Sequence, residues 1–415
     1  MQKRIDLIVV SCFLLFSAVP VMAQNSTNSP YTYYGYGELA NRSFGAGRSM
    51  GGAGIGLRSP NQINPMNPAS YSSMDSLTFL FDFGASAQRS WYKDGANKQK
   101  NTNGNVEYMA MQFPVHKNIA MSAGLLPYSH VGYNIEGLGH IGDQQYLQVF
   151  EGEGGLNHLY AGLSIEIWKK RLSVGANVNY FFGTISHTST TIYGVSGATN
   201  TEINNRLKIN SSSFDLGLQY SHPLSKTDNI VFGVALSPKK RLNNNYYETV
   251  GIGSEVNIDT ITGLSYDKPF DVGFGLSYVK ENKYIAAVDL SYQKWSKASF
   301  AGKSNEFKDR LKISAGVEYI HDFYSRQYFD RIKYRLGMNY SNSYVQIDDN
   351  GYKEYGATLG ASFPVGENRS YVNLSFEYVK VKPEYKSITM VDENYLRMTL
   401  SFTFNESWFL KTKVK

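Results

Sequence analysis

Residues able to do chemistry are scarce in this chain, and their spacing does not favour it. Seven histidines, His116, His130, His140, His158, His187, His222 and His321, are spread over 415 residues. No two stand four apart, so no helical turn presents a pair to a metal ion. His130 and His140 are expected in one external connector, where polar loop side chains are a better reading than metal or haem ligands. There is no Gly-x-Ser-x-Gly elbow and no credible triad, which argues against an enzyme. Glycines crowd residues 45–56, but the phosphate-cradle spacing is missing and no lysine follows. Glycines so placed allow tight turns and close packing. Cys12 is the single cysteine, and it falls in an apolar N-terminal run expected to be removed. The expected chain therefore has no thiol catalyst, no metal site and no cofactor.

The charged residues are better organised. In Tyr395–Phe404, Leu396, Met398, Leu400, Phe402 and Phe404 alternate with Arg397, Thr399, Ser401 and Thr403. A two-residue period is the mark of a strand with one apolar and one polar face. It recurs in 159–167, 311–319, 332–340 and 371–378. By that alternation Glu166, Asp215, Asp289, Lys312, Glu318, Lys333, Arg335, Glu377 and Arg397 share the polar face. Strands are expected from residue 77 onward, among them 77–92, 105–115, 118–133, 228–249, 256–280 and 393–404. Their connectors alternate between short ones, such as Pro114–Asn118, and longer ones, such as Tyr92–Asn105 and Tyr128–Gln144.

The elements that must hold these residues follow from the start of the chain. Lys3 and Arg4, the apolar run Leu7–Val19 and the small-residue site Val21-Met22-Ala23 read as an export signal, with Gln24 the expected mature start. No later run has the ~20 consecutive apolar residues of a membrane helix. The mean hydropathy of -0.34 fits a barrel that hides its lipid face in every second residue. Aromatic residues reach 14%, and the net charge of +6 forms no basic stripe, which excludes nucleic acid as a partner. The fold expected is all-β: a transmembrane antiparallel β-barrel of about 14 strands in a bacterial outer membrane, a monomer surrounded by lipid. The domains expected are a signal peptide at 1–23, a hatch at 24–76 inside the lumen, and the barrel at 77–415.

The stretch Gly45–Gly56, followed by Asn61–Ala69, resembles the hatch of FadL-type channels for hydrophobic compounds, a family that includes long-chain fatty acid and toluene transporters. Members carry Asn-Pro-Ala just before the first barrel strand, where Asn67-Pro68-Ala69 stands here. The start Ser29-Pro30-Tyr31 with Gly35-Tyr36-Gly37, and the end Ser407-Trp408-Phe409, resemble the Bacteroidetes branch. The resemblance implies passive uptake of a hydrophobic small molecule such as a fatty acid, with sideways exit through a gap made by a kinked third strand. The third expected strand, 118–133, holds Gly124 and Pro127. Proline donates no ladder hydrogen bond, so a bulge there would open the wall, unless Pro127 already lies in the external loop. Candidate ligand or gate residues are thus Asn67, Pro68, Ala69, Gly124 and Pro127. Arg48 and Arg58, with Arg42, are candidates to latch the hatch to wall acids, or to hold a ligand carboxylate, alongside Arg335, Arg397, Glu318 and Glu377 on the wall. An alternative function is a plugged barrel serving as a scaffold or shuttle for secreted proteins, or a haem-binding receptor. A continuous apolar tunnel to a wall gap favours transport. Large ordered outer loops with aromatic patches, and no greasy lumen, favour the scaffold.

Overall fold

The computed structural model describes residues 27, 29–95, 97–168, 171–194, 197–281, 283–366, 370–385 and 390–407. The export signal, Trp408 and Phe409 lie outside the described residues. Fourteen strands form the wall: β1 (Thr78–Asp94), β2 (Asn97–His116), β3 (Ile119–Ile141), β4 (Gln144–Trp168), β5 (Leu172–Tyr193), β6 (Thr201–Pro223), β7 (Asp228–Ser237), β8 (Phe270–Lys280), β9 (Tyr284–Lys294), β10 (Arg310–Ile320), β11 (Lys333–Asn342), β12 (Tyr352–Val365), β13 (Ser370–Pro383) and β14 (Asp392–Ser407). Each pairs antiparallel with its neighbour. β14 closes on β1 in a ladder running from Asp392 opposite Lys93 to Ser407 opposite Thr78.

Alternation decides which face each side chain takes. On β8 and β9, Phe274, Leu276, Val288 and Leu290 point outward and are exposed, while Ser277 and Asp289 are buried inside. An outward apolar band with no protein over it needs lipid as its solvent.

Three expectations need correction. The strand expected at 118–133 runs on to Ile141, and the connectors expected at Tyr92–Asn105 and Tyr128–Gln144 shrink to tight turns containing Gly95 and Gly142, both at positive φ. His130 and His140 are therefore in β3, not in a loop. The expected strands 228–249 and 256–280 break after Ser237 and before Phe270. Between them a hairpin, Asn244–Ile252 with Glu255–Ile261, extends the sheet along Thr201–Ile209 of β6. The physical reason is common to all three: these strands continue above the lipid, where both faces meet water and polar residues look like loop. β3 to β6 are 23, 25, 22 and 23 residues long, whereas β7 to β11 have 10 or 11. At ~3.3 Å per residue the strands are about 70–80 Å long on one side of the wall and about 35 Å on the other, and their tilt makes the wall itself shorter.

β2 pairs with β3 only between Met109–His116 and Ile119–Leu125. Beyond Leu125 the ladder partner of β3 is a two-residue strand of the N-terminal segment, with Leu39 opposite Ser129 and Glu38 opposite His130. The Ala40 N–H donates to the Tyr128 carbonyl at 3.0 Å. Thr32 Oγ1 accepts from the Gly132 N–H at 3.1 Å. The N-terminal segment thus stands in a seam of the wall.

The rest of that segment lies against the inward face. It contains a five-residue helix, Gly45–Ser49, and a 3-10 turn, Pro68–Ser73. Facing glycines on adjacent strands let its backbone reach the wall: Gly175 opposite Gly217, Gly233 opposite Gly275, and Gly316 opposite Gly337. A β-carbon at these positions would overlap Asn67–Pro68, Ile55–Gly56 and Met50–Gly51 respectively. Away from the glycine pairs, Tyr31 and Tyr36 join Trp295, Phe307 and Tyr344 in one buried aromatic cluster.

Candidate functional site

The N-terminal segment is held by charges that the wall presents inward. Arg58 Nη2 lies 2.5 Å from Glu166 Oε1 on β4, and its Nη1 donates to Ser173 Oγ on β5 at 2.6 Å. Arg42 Nη2 lies 3.1 Å from Asp215 on β6, with Asp271 on β8 at 3.9 Å. Arg48 Nη2 lies 2.8 Å from Glu107 on β2, and its Nε donates to the Ser43 carbonyl at 2.9 Å. Asp289 on β9 accepts from the backbone N–H groups of Gly54 and Ile55 at 2.6 and 2.7 Å. A carboxylate clasped by successive backbone donors is an anion nest formed by the glycine-rich turn.

Two of these contacts escaped sequence reasoning. Glu107 lies in an expected strand but is not among the expected inward acids. The β1–β2 register shifts so that Gly84 faces Tyr108 and Ala85 faces Val106. Glu107 is the extra residue, and the bulge turns it inward beside Tyr108, against a strict two-residue period. Tyr108 in turn stacks on Phe44 with ring centroids 3.8 Å apart, and its hydroxyl accepts from the Gly45 N–H at 2.8 Å. Asp289 was expected to face inward, but nothing in the pattern says that its partner is backbone.

The remaining expected residues separate into three groups. Gly124 and Pro127 lie at the seam. Gly124 faces Ala110 near the last β2–β3 pairs, where a β-carbon would press on Ala110, the Met109 carbonyl and Tyr160. The β3–β4 register shifts between Pro127 and Ser129. Asn67-Pro68-Ala69 sits elsewhere, against β5 to β7. Asn67 Oδ1 caps the 3-10 turn by accepting from the Ala69 N–H at 3.1 Å, while Nδ2 donates to the carbonyls of Ile55 and Leu218 at 3.0 and 3.1 Å. On the wall, Arg335 and Lys333 both pair with Glu318, at 2.6 and 3.3 Å. Arg397 bridges the wall to the seam: it lies 3.6 Å from Glu377 and 3.1 Å from Glu38.

Behind Leu39–Arg42 is a cavity of about 100 Å³ with a mixed lining that includes Arg42, Asp215, Lys268, Asp271, Arg310 and Lys312. The cavity adjoining the seam is thus strongly charged. On the aromatic side, the Tyr344 hydroxyl donates to the Gly37 carbonyl at 2.7 Å and accepts from the Tyr36 N–H at 3.0 Å. Burial pushes the Tyr31 and Tyr36 phenols well above their usual range, so both remain neutral donors. Among the described residues no group of three His, Cys, Asp or Glu side chains is placed to hold a metal. His130 and His140 lie ten residues apart on one strand, a rise of about 33 Å, so they cannot share one metal or haem.

Comparison with known proteins gives the fold a context. The Pseudomonas putida toluene transporter TodX superposes with a TM-score of 0.59 at 14% identity, over 89% of this chain and 100% of that one. The Ralstonia pickettii toluene transporter TbuX gives 0.57 at 16% identity, over 88% and 98%. A Pseudomonas aeruginosa FadL homologue gives 0.57 at 12% identity, over 90% and 100%. At these identities the likeness is one of fold. No curated protein matches the chain. A family model described as BamG matches residues 1–415.

Proposed function

This chain belongs to the BamG family, and from that premise we propose that it is an outer-membrane barrel that admits hydrophobic small molecules and releases them sideways at the seam between β2 and β3. The observation that carries this reading is the ending of the β2–β3 ladder at Met109 and Leu125, where the N-terminal strand takes over as the partner of β3. Toluene transporters of other bacteria share this fold, which supports a hydrophobic ligand.

In this reading the N-terminal segment has two parts with different duties. Residues 45–69 are the fixed plug, seated on the glycine pairs and held by Asp289, Glu107 and Glu166. Residues 29–40 are the movable stopper. Two ladder positions, the Glu38–Arg397 contact, the hydrogen bonds of Thr32 with Gly132 and of Tyr344 with Tyr36 and Gly37, and the burial of Tyr31 and Tyr36 hold them at the seam. Each such hydrogen bond has a net worth of about 0.5–1.5 kcal/mol, and uncovering Tyr31 and Tyr36 adds to the cost of withdrawing the stopper. The bulge after Pro127, in the pairing of β3 with β4, makes the strand irregular beside the seam. No energy source is needed, because a hydrophobic ligand gains free energy on entering lipid.

The test is uptake of labelled oleate or toluene by cells that lack their own channel. Expression of this chain raises the rate; equal uptake with and without the protein overturns the proposal. A second reading, a scaffold for secreted proteins, is favoured by one observation: the tall sheet of β3 to β6 and its hairpin rise far above any lipid. Native mass spectrometry separates the two. A co-purifying amphiphile supports transport, and a co-purifying protein with no amphiphile supports the scaffold.

A further inference from the structure

We propose that the charged cavity behind Leu39–Arg42 is a binding site for a small oxyanion, a carboxylate or phosphate group, with Lys312 and Arg42 as its direct ligands. The inference does not depend on the route of uptake. Four cations, Arg42, Lys268, Arg310 and Lys312, line the cavity against two carboxylates, Asp215 and Asp271. Both carboxylates are already engaged. Asp215 meets Arg42 at 3.1 Å and Lys268 at 3.6 Å, and accepts from Asn179 at 2.9 Å. Asp271 meets Arg42 at 3.9 Å and accepts from Gln293 at 3.1 Å. Arg310 faces Glu354 at 3.6 Å, and Glu377 faces Arg397 at 3.6 Å.

Two donors are left over. Lys312 makes no ion pair or hydrogen bond among the described residues, although it points into the lumen between Gly52 and the wall. The Nε of Arg42 is buried without a hydrogen-bond partner. Gly52 brings the first of these next to a third donor: a β-carbon there would lie 3.3 Å from Asn41 Nδ2 and 3.4 Å from Lys312 Nζ. Glu377 and Glu354 act on Lys312 through space without forming an ion pair with it, and an oxyanion supplies the acceptors that these donors lack. The volume of about 100 Å³ accommodates a carboxylate or phosphate group. The ligand is therefore a free anion, or the headgroup of an amphiphile whose tail lies outside the cavity.

Isothermal titration of the full-length protein in detergent with inorganic phosphate, and separately with acetate, at constant ionic strength set by chloride tests the site. Saturable binding of at least one of the two is expected. Lys312→Met weakens it by about tenfold or more, Lys312→Arg retains it, and Lys208→Met, on the exposed upper part of β6, leaves it unchanged. Where Lys312→Met does not fold, Lys312→Gln takes its place. No saturable binding by the wild type, or wild-type binding by both uncharged variants, overturns the proposal. Native mass spectrometry then separates the sources. An amphiphile released by phosphate identifies a headgroup, and binding of phosphate with no amphiphile released identifies a free anion.

Discussion

Arg48 is the most committed side chain of the N-terminal segment. It and Glu107 are each only 4% exposed, so neither is screened by water. Removing one leaves the other as a buried orphan charge, a loss of about 3–5 kcal/mol. Arg42 is 28% exposed and borders a cavity, so its loss is softened by solvent. Arg48→Ala is therefore expected to make residues 29–76 protease-sensitive in the folded barrel, whereas Arg42→Ala leaves them largely protected. Limited proteolysis in detergent reads the difference, and equal protection of both variants contradicts it. The acids that meet these arginines show how far a sequence reaches at this scale. Glu166 and Asp215 are legible because they keep strict alternation. Glu107 is not, because one bulge residue reverses the face of its strand, and a bulge leaves no reliable trace in polarity. The contact of Asp289 with backbone N–H groups is illegible for another reason: glycines in 45–56 carry no side chain from which to read a partner.

At the scale of elements, the facing glycine pairs decide how the N-terminal segment meets the wall. Gly175 and Gly217 leave room for Asn67 and Pro68 to lie directly on strand backbone. Gly217→Val inserts a branched side chain where Asn67 Oδ1 and Pro68 sit, and overpacking of this kind costs about 1–3 kcal/mol. The variant is expected to lose its folded, fast-migrating band at a lower temperature on unboiled gels. Gly137→Val, a change at a position with nothing within 4 Å, is expected to match the wild type. Identical transitions for the two would show that the pairs carry no load. The same geometry revises the role expected for Asn67-Pro68-Ala69: the motif caps a turn and anchors it to β5–β7, away from the seam. Gly124 and Pro127 stand near the seam, where the strand continues and its register against β4 shifts just after Pro127. The length of β3 was not readable, since above the lipid an alternating strand and a polar loop have similar composition.

For the whole molecule, the alternating faces were enough to predict a closed antiparallel barrel of about 14 strands, because closure and an apolar exterior constrain every strand at once, although two connectors expected to be long are tight turns. Its asymmetry was legible only in part: the alternation carries long strands over 144–168, 172–193 and 202–222, as observed, but also over 228–249 and 256–280, which the structure breaks. The seam follows from that asymmetry, since β3 rises past its pairing with β2 and takes the N-terminal strand as neighbour. The central claim is that this strand must leave for a ligand to pass. Leu39 and Ser129 are ladder partners, and such partners lie about 4.5–5.5 Å apart at Cα, within reach of a disulfide. The chain's single cysteine, Cys12, lies in the expected export signal, so a Leu39→Cys, Ser129→Cys variant carries one designed bridge. The decisive measurement is uptake of labelled oleate or toluene by cells carrying this variant, oxidised and then reduced. Oxidation is expected to lower uptake to that of cells without the protein, and reduction to restore it. Wild-type uptake with the bridge demonstrably formed would contradict passage through the seam.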